Sequence, residues 1–444
     1  MALLSQIIFT LVAVAAFLLF FRKIKAIRRN ILLGREEDRT DRSGERWKNV
    51  ALLALGQQKM FKRPIPAVLH FLVYAGFVLI NIEVLEILID GVLGQHRVFE
   101  RPLGGFYSFL IGFFEVLGVL TLVAVIVFLI RRNVLKLRRL NQPELDGFPK
   151  QDANTILYIE VILMTMLLLM NSAEGALRIQ EGTGNGFFVS QLFAPLLTGL
   201  SPATLQLIER ICWWGHILGI FAFLNYLPYS KHFHIILAFP AAYYTRLKPM
   251  GEMPNMPAIQ NEVLYAMEPE KAPSLPPTPS EGGGETPEEP EQLRFGARDV
   301  QDLSWKNLLD AYTCTECGRC TAVCPANLTG KKLSPRKIMM DTRDRTEEVG
   351  RQLDAGKAAG EDGKSLLHDY ITVEELRACT TCQACVEACP IGLEPLSIIH
   401  QLRRNLIMEE SNAPAEWNAM NANLENNMAP WKFSPDERDA WVNG

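Results

Sequence analysis

Five stretches of this chain are each long and apolar enough to cross a hydrocarbon layer, and that limits the fold before any other residue is weighed. They cover about residues 4–22, 65–90, 104–130, 154–172 and 206–230, the last continuing toward 246. A bilayer core ~30 Å thick takes about 20 helical residues. Inside it the backbone must satisfy its own hydrogen bonds, so each stretch is expected to be a helix. Charge is spread unevenly between them: 22–63 holds thirteen Lys and Arg and 131–153 holds six, whereas 91–103 and 173–205 hold two and one. Basic loops stay in the cytoplasm. The expected arrangement is a multi-pass protein of a bacterial-type inner (cytoplasmic) membrane, N-terminus outside, with everything after the fifth crossing in the cytoplasm. The first stretch has no Lys or Arg before it and "RKIKAIRR" after it, the reverse of a secretory signal, so it is expected to remain as a helix.

The apolar share of 48% is an average over two unlike halves. Residues 1–247 form the membrane part and residues 297–410 read as a charged soluble domain. Between them, 248–296 is rich in Pro, Gly and Glu and reads as a linker. Residues 411–444 form a tail, expected to be a segment for docking a partner. The net charge of −4, with no basic stripe outside the membrane-flanking loops, argues against a nucleic-acid partner.

Eight of the nine cysteines fall into "CTECGRCTAVCP" from Cys314 and "CTTCQACVEACP" from Cys379, leaving Cys212 alone. Both follow C-x2-C-x2-C-x3-C-P, the bacterial spacing for two [4Fe–4S] clusters. Three close thiolates wrap three corners of a cubane, while the fourth, beside proline, points away to the other cluster. By that rule Cys314, Cys317, Cys320 and Cys389 hold one cluster, and Cys379, Cys382, Cys385 and Cys324 hold the second. Zinc sites usually draw on two pairs of cysteines, not two sets of four with this proline. The 54 residues between the motifs include two stretches that read as helices, giving an all-α reading: a five-helix transmembrane bundle followed by an α-helical dicluster ferredoxin domain.

Histidines in the apolar half need a reason to be there. His70 sits just inside the second stretch, and "CWWGHILGIFAFLNYLPYSKHFHI" carries His216, His232 and His234. On a continuous helix His216 and His234, eighteen residues apart, share a face ~27 Å apart, and His232 faces elsewhere. His70 and His234 are expected at one depth, where two imidazoles suit a six-coordinate haem b. Carboxylates in the same half, Glu83, Glu86, Asp90, Glu115, Glu160 and Glu174, are candidates for proton relays beside a quinone. Ion pairing is the competing account, for example of Glu174 with Arg178 one turn away, or of outer-end carboxylates with Arg97 and Arg210.

His216, Leu-Pro-Tyr-Ser-Lys and His234 resemble the fifth helix of the respiratory nitrate reductase gamma subunit. That resemblance implies a five-helix bundle oxidising quinol, with b haems between the second and fifth helices. It implies His70 and His234 as ligands of the haem nearer the cytoplasm and His216 as a ligand of a second haem. The second-helix partner of His216 should stand where this chain has Ile80, so His216 could instead serve a quinone. The cysteine domain resembles the helical ferredoxin modules of fumarate reductase iron–sulfur subunits and heterodisulfide reductase-like proteins. The tail resembles the segment that leads into CCG domains in the fused members of that group. No adjacent Cys-Cys pair occurs, so the CCG module is expected on a separate subunit.

Together these resemblances imply a heterodisulfide reductase-related oxidoreductase subunit. It would pass electrons between a cytoplasmic donor, an electron-transferring flavoprotein or a dehydrogenase, and menaquinone. A second reading is a structural or redox-sensing membrane anchor without quinone turnover. A transporter is disfavoured by the lack of an internal repeat. No P-loop or dinucleotide fingerprint occurs.

Overall fold

Helices begin where the sequence supplies a starter. Pro64 and Pro202 are the first residues of two of the five long helices, positions where a missing N–H costs nothing and a fixed φ is already helical. The structure, a computed structural model, describes residues 2–183, 187–272, 294–432 and 434–442. Much of the expected linker, 273–293, therefore lies outside the described residues. The five membrane-type helices are α1 (Ala2–Ile31), α2 (Pro64–Leu93), α3 (Gly105–Leu129), α4 (Phe148–Gln180) and α5 (Pro202–Tyr226). No strand occurs among the described residues.

Helix α4 packs against α3 and α5, α3 against α2, and α1 against α2 and α5. Phe9, Ile80, Phe114, Leu167, Ile217 and Phe221 fill the interior. Leu4, Leu11, Leu18, Ile65, Val123 and Leu207 point outward. Apolar exposure of this extent is what a hydrocarbon environment permits and water does not.

Helix α5 does not run on toward 246. After Tyr226 the chain makes two tight turns, Leu227–Tyr229 and Lys231–Phe233, and only then forms α6 (His234–Tyr243). Pro228 has no N–H to continue the ladder, and the Ser230 hydroxyl accepts the N–H of His232 instead. The helical-wheel expectation for His216, His232 and His234 is thereby corrected, because no single helix carries all three.

The cysteine-bearing part is built on α7 (Trp305–Thr313), α8 (Pro335–Asp354) and α9 (Pro395–Met408). Its core residues Leu308, Ile338, Val349, Ile398 and Leu402 belong to one apolar cluster with Phe20, Ile27, Phe223 and Phe233 of the bundle. Each fully buried side chain of this size contributes roughly 1.5–3 kcal/mol, so the two parts are packed together and not merely tethered. Lys23 pairs with Glu347 at 2.9 Å, and Asn30 donates to the Tyr312 hydroxyl at 3.1 Å. The Arg35 N–H donates to Leu303 at 2.7 Å, and the Trp305 N–H donates to Arg35 at 3.0 Å. Gly34 permits this approach: a Cβ there would stand 2.5 Å from the Trp305 nitrogen.

Candidate cluster and haem sites

Cys324, Cys379, Cys382 and Cys385 line one small cavity, walled by Pro325, Leu333, Pro335, Leu396 and Ile399. One cysteine of the first motif thus faces three of the second. In the other set, Cys314 lies within electrostatic reach of Cys317 and Cys389, and Cys320 of Cys314, Cys317 and Cys389. Cys320 also senses Cys385, so the two sets adjoin. Burial lifts the Cys314 and Cys385 thiols to about 12 and the Cys389 thiol to about 11. Burial disfavours the thiolate form that iron ligation requires, and a cation bound among these thiols would restore it. Among the described residues no three His, Cys, Asp or Glu side chains converge where a single metal ion would sit.

The two sets differ in their surroundings. Cys382 is exposed. The loop of Cys314, Cys317 and Cys320 instead faces the bundle: Glu316 pairs with Lys231, Arg139 donates to the Cys317 carbonyl at 3.4 Å, and Arg319 reaches the Lys59 carbonyl at 3.4 Å. Beyond Cys389, the Thr245 hydroxyl donates to the Gly392 carbonyl at 3.0 Å.

Three histidines meet at that same end. The ring centroids of His70 and His234 are 6.3 Å apart, and His232 packs 5.5 Å from His234 and 5.4 Å from Phe223. The amide oxygen of Gln57 accepts from His70 Nδ1 at 3.0 Å, and the Lys231 carbonyl accepts from His234 Nδ1 at 3.2 Å. Among the described residues Nε2 of neither ring makes a hydrogen bond, the arrangement that outer partners impose on metal-binding imidazoles. Metal–imidazole bonds are ~2 Å, so two imidazoles on opposite faces of one iron have centroids ~6 Å apart. The residues present fit a haem b at this point. Gln57 and Arg319 were invisible as candidates in the sequence, since a lone Gln in a loop carries no motif.

His216 stands apart, buried, with Nδ1 3.0 Å from the Leu163 carbonyl and no ring contact among the described residues. Ile80, at the position expected for its partner, is buried in the bundle core.

The acidic side chains divide into two groups. Glu174 pairs with Arg97 and Arg178, each at 2.7 Å. Glu86 accepts from the Tyr107 hydroxyl at 2.7 Å and the Phe99 N–H at 2.9 Å, and Asp90 accepts from the Arg97 N–H at 2.7 Å. Glu115 accepts from the N–H groups of Phe188 and Val189, both at 2.9 Å, and from Asn171 at 3.1 Å. These four fasten the loops at the end of the bundle remote from the cysteines. Glu83 and Glu160 are buried with no hydrogen bond among the described residues.

Fold and cysteine arrangement define an iron–sulfur electron carrier joined to a helical bundle of membrane type. Residues 313–393 match the family model described as "4Fe-4S dicluster domain". The chain is 27% identical to the "Probable iron-sulfur-binding oxidoreductase FadF" of Bacillus subtilis, over 98% of this chain and 60% of that protein. It is 26% identical to the "EtfAB:quinone oxidoreductase" of Syntrophomonas wolfei, over 97% of this chain and 58% of that one. One of the polypeptides of a CoB-CoM heterodisulfide reductase of Methanosarcina acetivorans is 34% identical over 23% of this chain and 49% of its own. The chain is thus similar to iron–sulfur oxidoreductases related to heterodisulfide reductase. It spans about 60% of the length of the first two relatives. No solved structure matches.

Proposed function

We propose that this chain passes electrons between a partner protein and the menaquinone pool, as an iron–sulfur subunit that also holds haem b. The observation that carries the reading is the pairing of His70 with His234, Nε2 of neither hydrogen-bonded among the described residues, beside the loop of Cys314, Cys317 and Cys320. Cys314, Cys317, Cys320 and Cys389 are assigned to the cluster next to the bundle, and Cys379, Cys382, Cys385 and Cys324 to the outer one. Bound there, two [4Fe–4S] clusters and a haem supply one-electron steps that no side chain provides. The exposed side of the outer set, at Cys382, is where a partner gains access. The basic loops support placing this end in the cytoplasm, with residues 1–247 in the inner membrane and residues 297–410 as the ferredoxin domain.

The relative named EtfAB:quinone oxidoreductase links EtfAB to quinone by its name. We carry that pairing over: an electron-transferring flavoprotein or a dehydrogenase as donor, a separate CCG subunit as a further partner, quinone as acceptor. Among the carboxylates, Glu83 and Glu160 are the candidates for moving quinone protons, because Glu86 and Glu115 already have fixed donors. His216 remains a candidate for a quinone or a second haem.

The test is a visible spectrum of the detergent-solubilised chain before and after a menaquinol analogue, with haem counted as its pyridine complex. Sharp haem bands appearing on quinol addition support the reading. Retained clusters without haem bands would sink it.

A further inference from the structure

A groove of about 620 Å³ opens where the basic ends of α2 and α3 meet the first cysteine loop. Six cations line it: Lys62, Arg63, Arg131, Arg138, Arg139 and Arg336. No carboxylate among the described residues does. Lys62 and Arg336 have carboxylate partners in Glu387 and Glu144, but Arg63, Arg131 and Arg138 have none among the described residues. Arg336 is fully buried, and its Nε has no partner. Gly318 brings these groups together, for a Cβ on it would stand 2.5 Å from Arg336 Nη1 and 2.9 Å from the Arg139 carbonyl, and its φ is +70°. So many like charges around one concave space repel one another unless an anion joins them.

We infer that the groove binds the phosphate of an anionic phospholipid headgroup. Forked guanidinium donors match phosphate oxygens, and basic pockets at the ends of membrane helices recognise such headgroups. Apolar side chains favour a lipid over free phosphate: Ile65 and Leu137 line the groove, and Val68, Val134 and Leu135 continue from it, exposed, along the helix ends. A headgroup held there touches bundle and cysteine domain at once and holds them together. The inference needs the bundle in a membrane but neither haem nor quinone.

Native mass spectrometry of the full, delipidated chain in neutral detergent tests it, titrating phosphatidylglycerol, phosphatidylcholine and inorganic phosphate in turn. One retained phosphatidylglycerol is expected, its affinity lowered at least about tenfold in Arg63→Gln/Arg131→Gln/Arg138→Gln. The single change Arg138→Glu, on an exposed side chain, should weaken it in the same direction. Arg22→Gln/Lys25→Gln/Arg28→Gln, at the basic end of α1 but outside the groove, should leave it within about twofold. Equal binding of phosphatidylcholine, an equal loss in the α1 variant, or displacement by inorganic phosphate at comparable concentration would each overturn the inference, the last pointing to a free anion.

Discussion

His70 and His234 come from segments separated by most of the membrane part, yet their ring centroids lie 6.3 Å apart and each ring is oriented by an acceptor on Nδ1. That spacing suits the haem b proposed above, which these two imidazoles would hold. His70→Ala and His234→Ala should each abolish the haem bands while leaving the broad cluster absorbance. Gln57→Leu is the finer test. It removes only the acceptor from His70 Nδ1, so it should lower haem occupancy or shift the α band, with affinity falling about 10–100-fold as for other outer partners of metal ligands. A Gln57→Leu protein with wild-type haem content, spectrum and potential would remove Gln57 from the site.

Cys324 belongs to the first motif by sequence and to the cavity of the second motif by position, where it stands with Cys379, Cys382 and Cys385. Cys324→Ala should therefore eliminate the same paramagnetic signal as Cys385→Ala, and not the one lost in Cys314→Ala. Iron should fall from about eight to about four atoms per chain in each case. If Cys324→Ala instead matched Cys314→Ala in its spectrum, the ligands would not cross between motifs.

Arg345 is fully buried and holds Asp299 at 2.7 Å, Asp362 at 2.6 Å and the Lys364 carbonyl at 2.7 Å. The Arg345 hydrogen bond draws the Asp362 carboxyl down to about 2. Arg345→Met leaves the partly buried Asp299 and the exposed Asp362 without their cation, a loss on the order of 1–3 kcal/mol, below the cost of breaking a fully buried pair. The urea midpoint of the cluster-loaded chain should drop accordingly. Arg345→Lys should not restore it, since an ammonium cannot serve two carboxylates and a carbonyl in one plane. Full rescue by lysine would show that charge alone matters there.

The two halves were legible to different depths. Apolar length located all five long helices, because burying backbone in hydrocarbon leaves a helix little alternative. Cysteine spacing identified the dicluster domain, because a cubane dictates where its thiolates come from. Angles beyond Tyr226 were not legible: a proline at 228 can kink a helix, but nothing local says that the chain turns twice and brings His232 against His234. The run "RKIKAIRR" read as a topology signal, and its second role, docking Lys23 on Glu347 of α8, depends on a residue more than three hundred positions away. The Arg97 cluster was half visible. Glu174 with Arg178 follows from helical spacing, whereas Tyr107 with Glu86 requires the loop between α2 and α3 to fold back first.

Glu144 offers a test of the docking itself, because it lies in a turn between α3 and α4 and reaches across to the cysteine domain. It accepts from Arg336 Nη2 at 2.6 Å and from the Ser334 hydroxyl at 2.8 Å. Burial pushes its carboxyl up, but the hydrogen bond and charge of Arg336 outweigh burial and hold it below its ordinary value. A carboxyl lowered in the folded state stabilises that state above its unfolded pKa, and the contribution disappears as pH falls through the folded value. Wild type should therefore exceed Glu144→Gln in denaturation midpoint at pH 7 by the equivalent of about 1–3 kcal/mol, the worth of a charged hydrogen bond. The gap should begin to close as pH falls past the unfolded carboxyl value of ~4.3 and vanish only below the still lower folded value. Comparing the proteins at each pH cancels the acid sensitivity they share. A gap that does not narrow as pH is taken well below ~4.3 would mean that Glu144 contributes shape and not charge to the contact between bundle and cysteine domain.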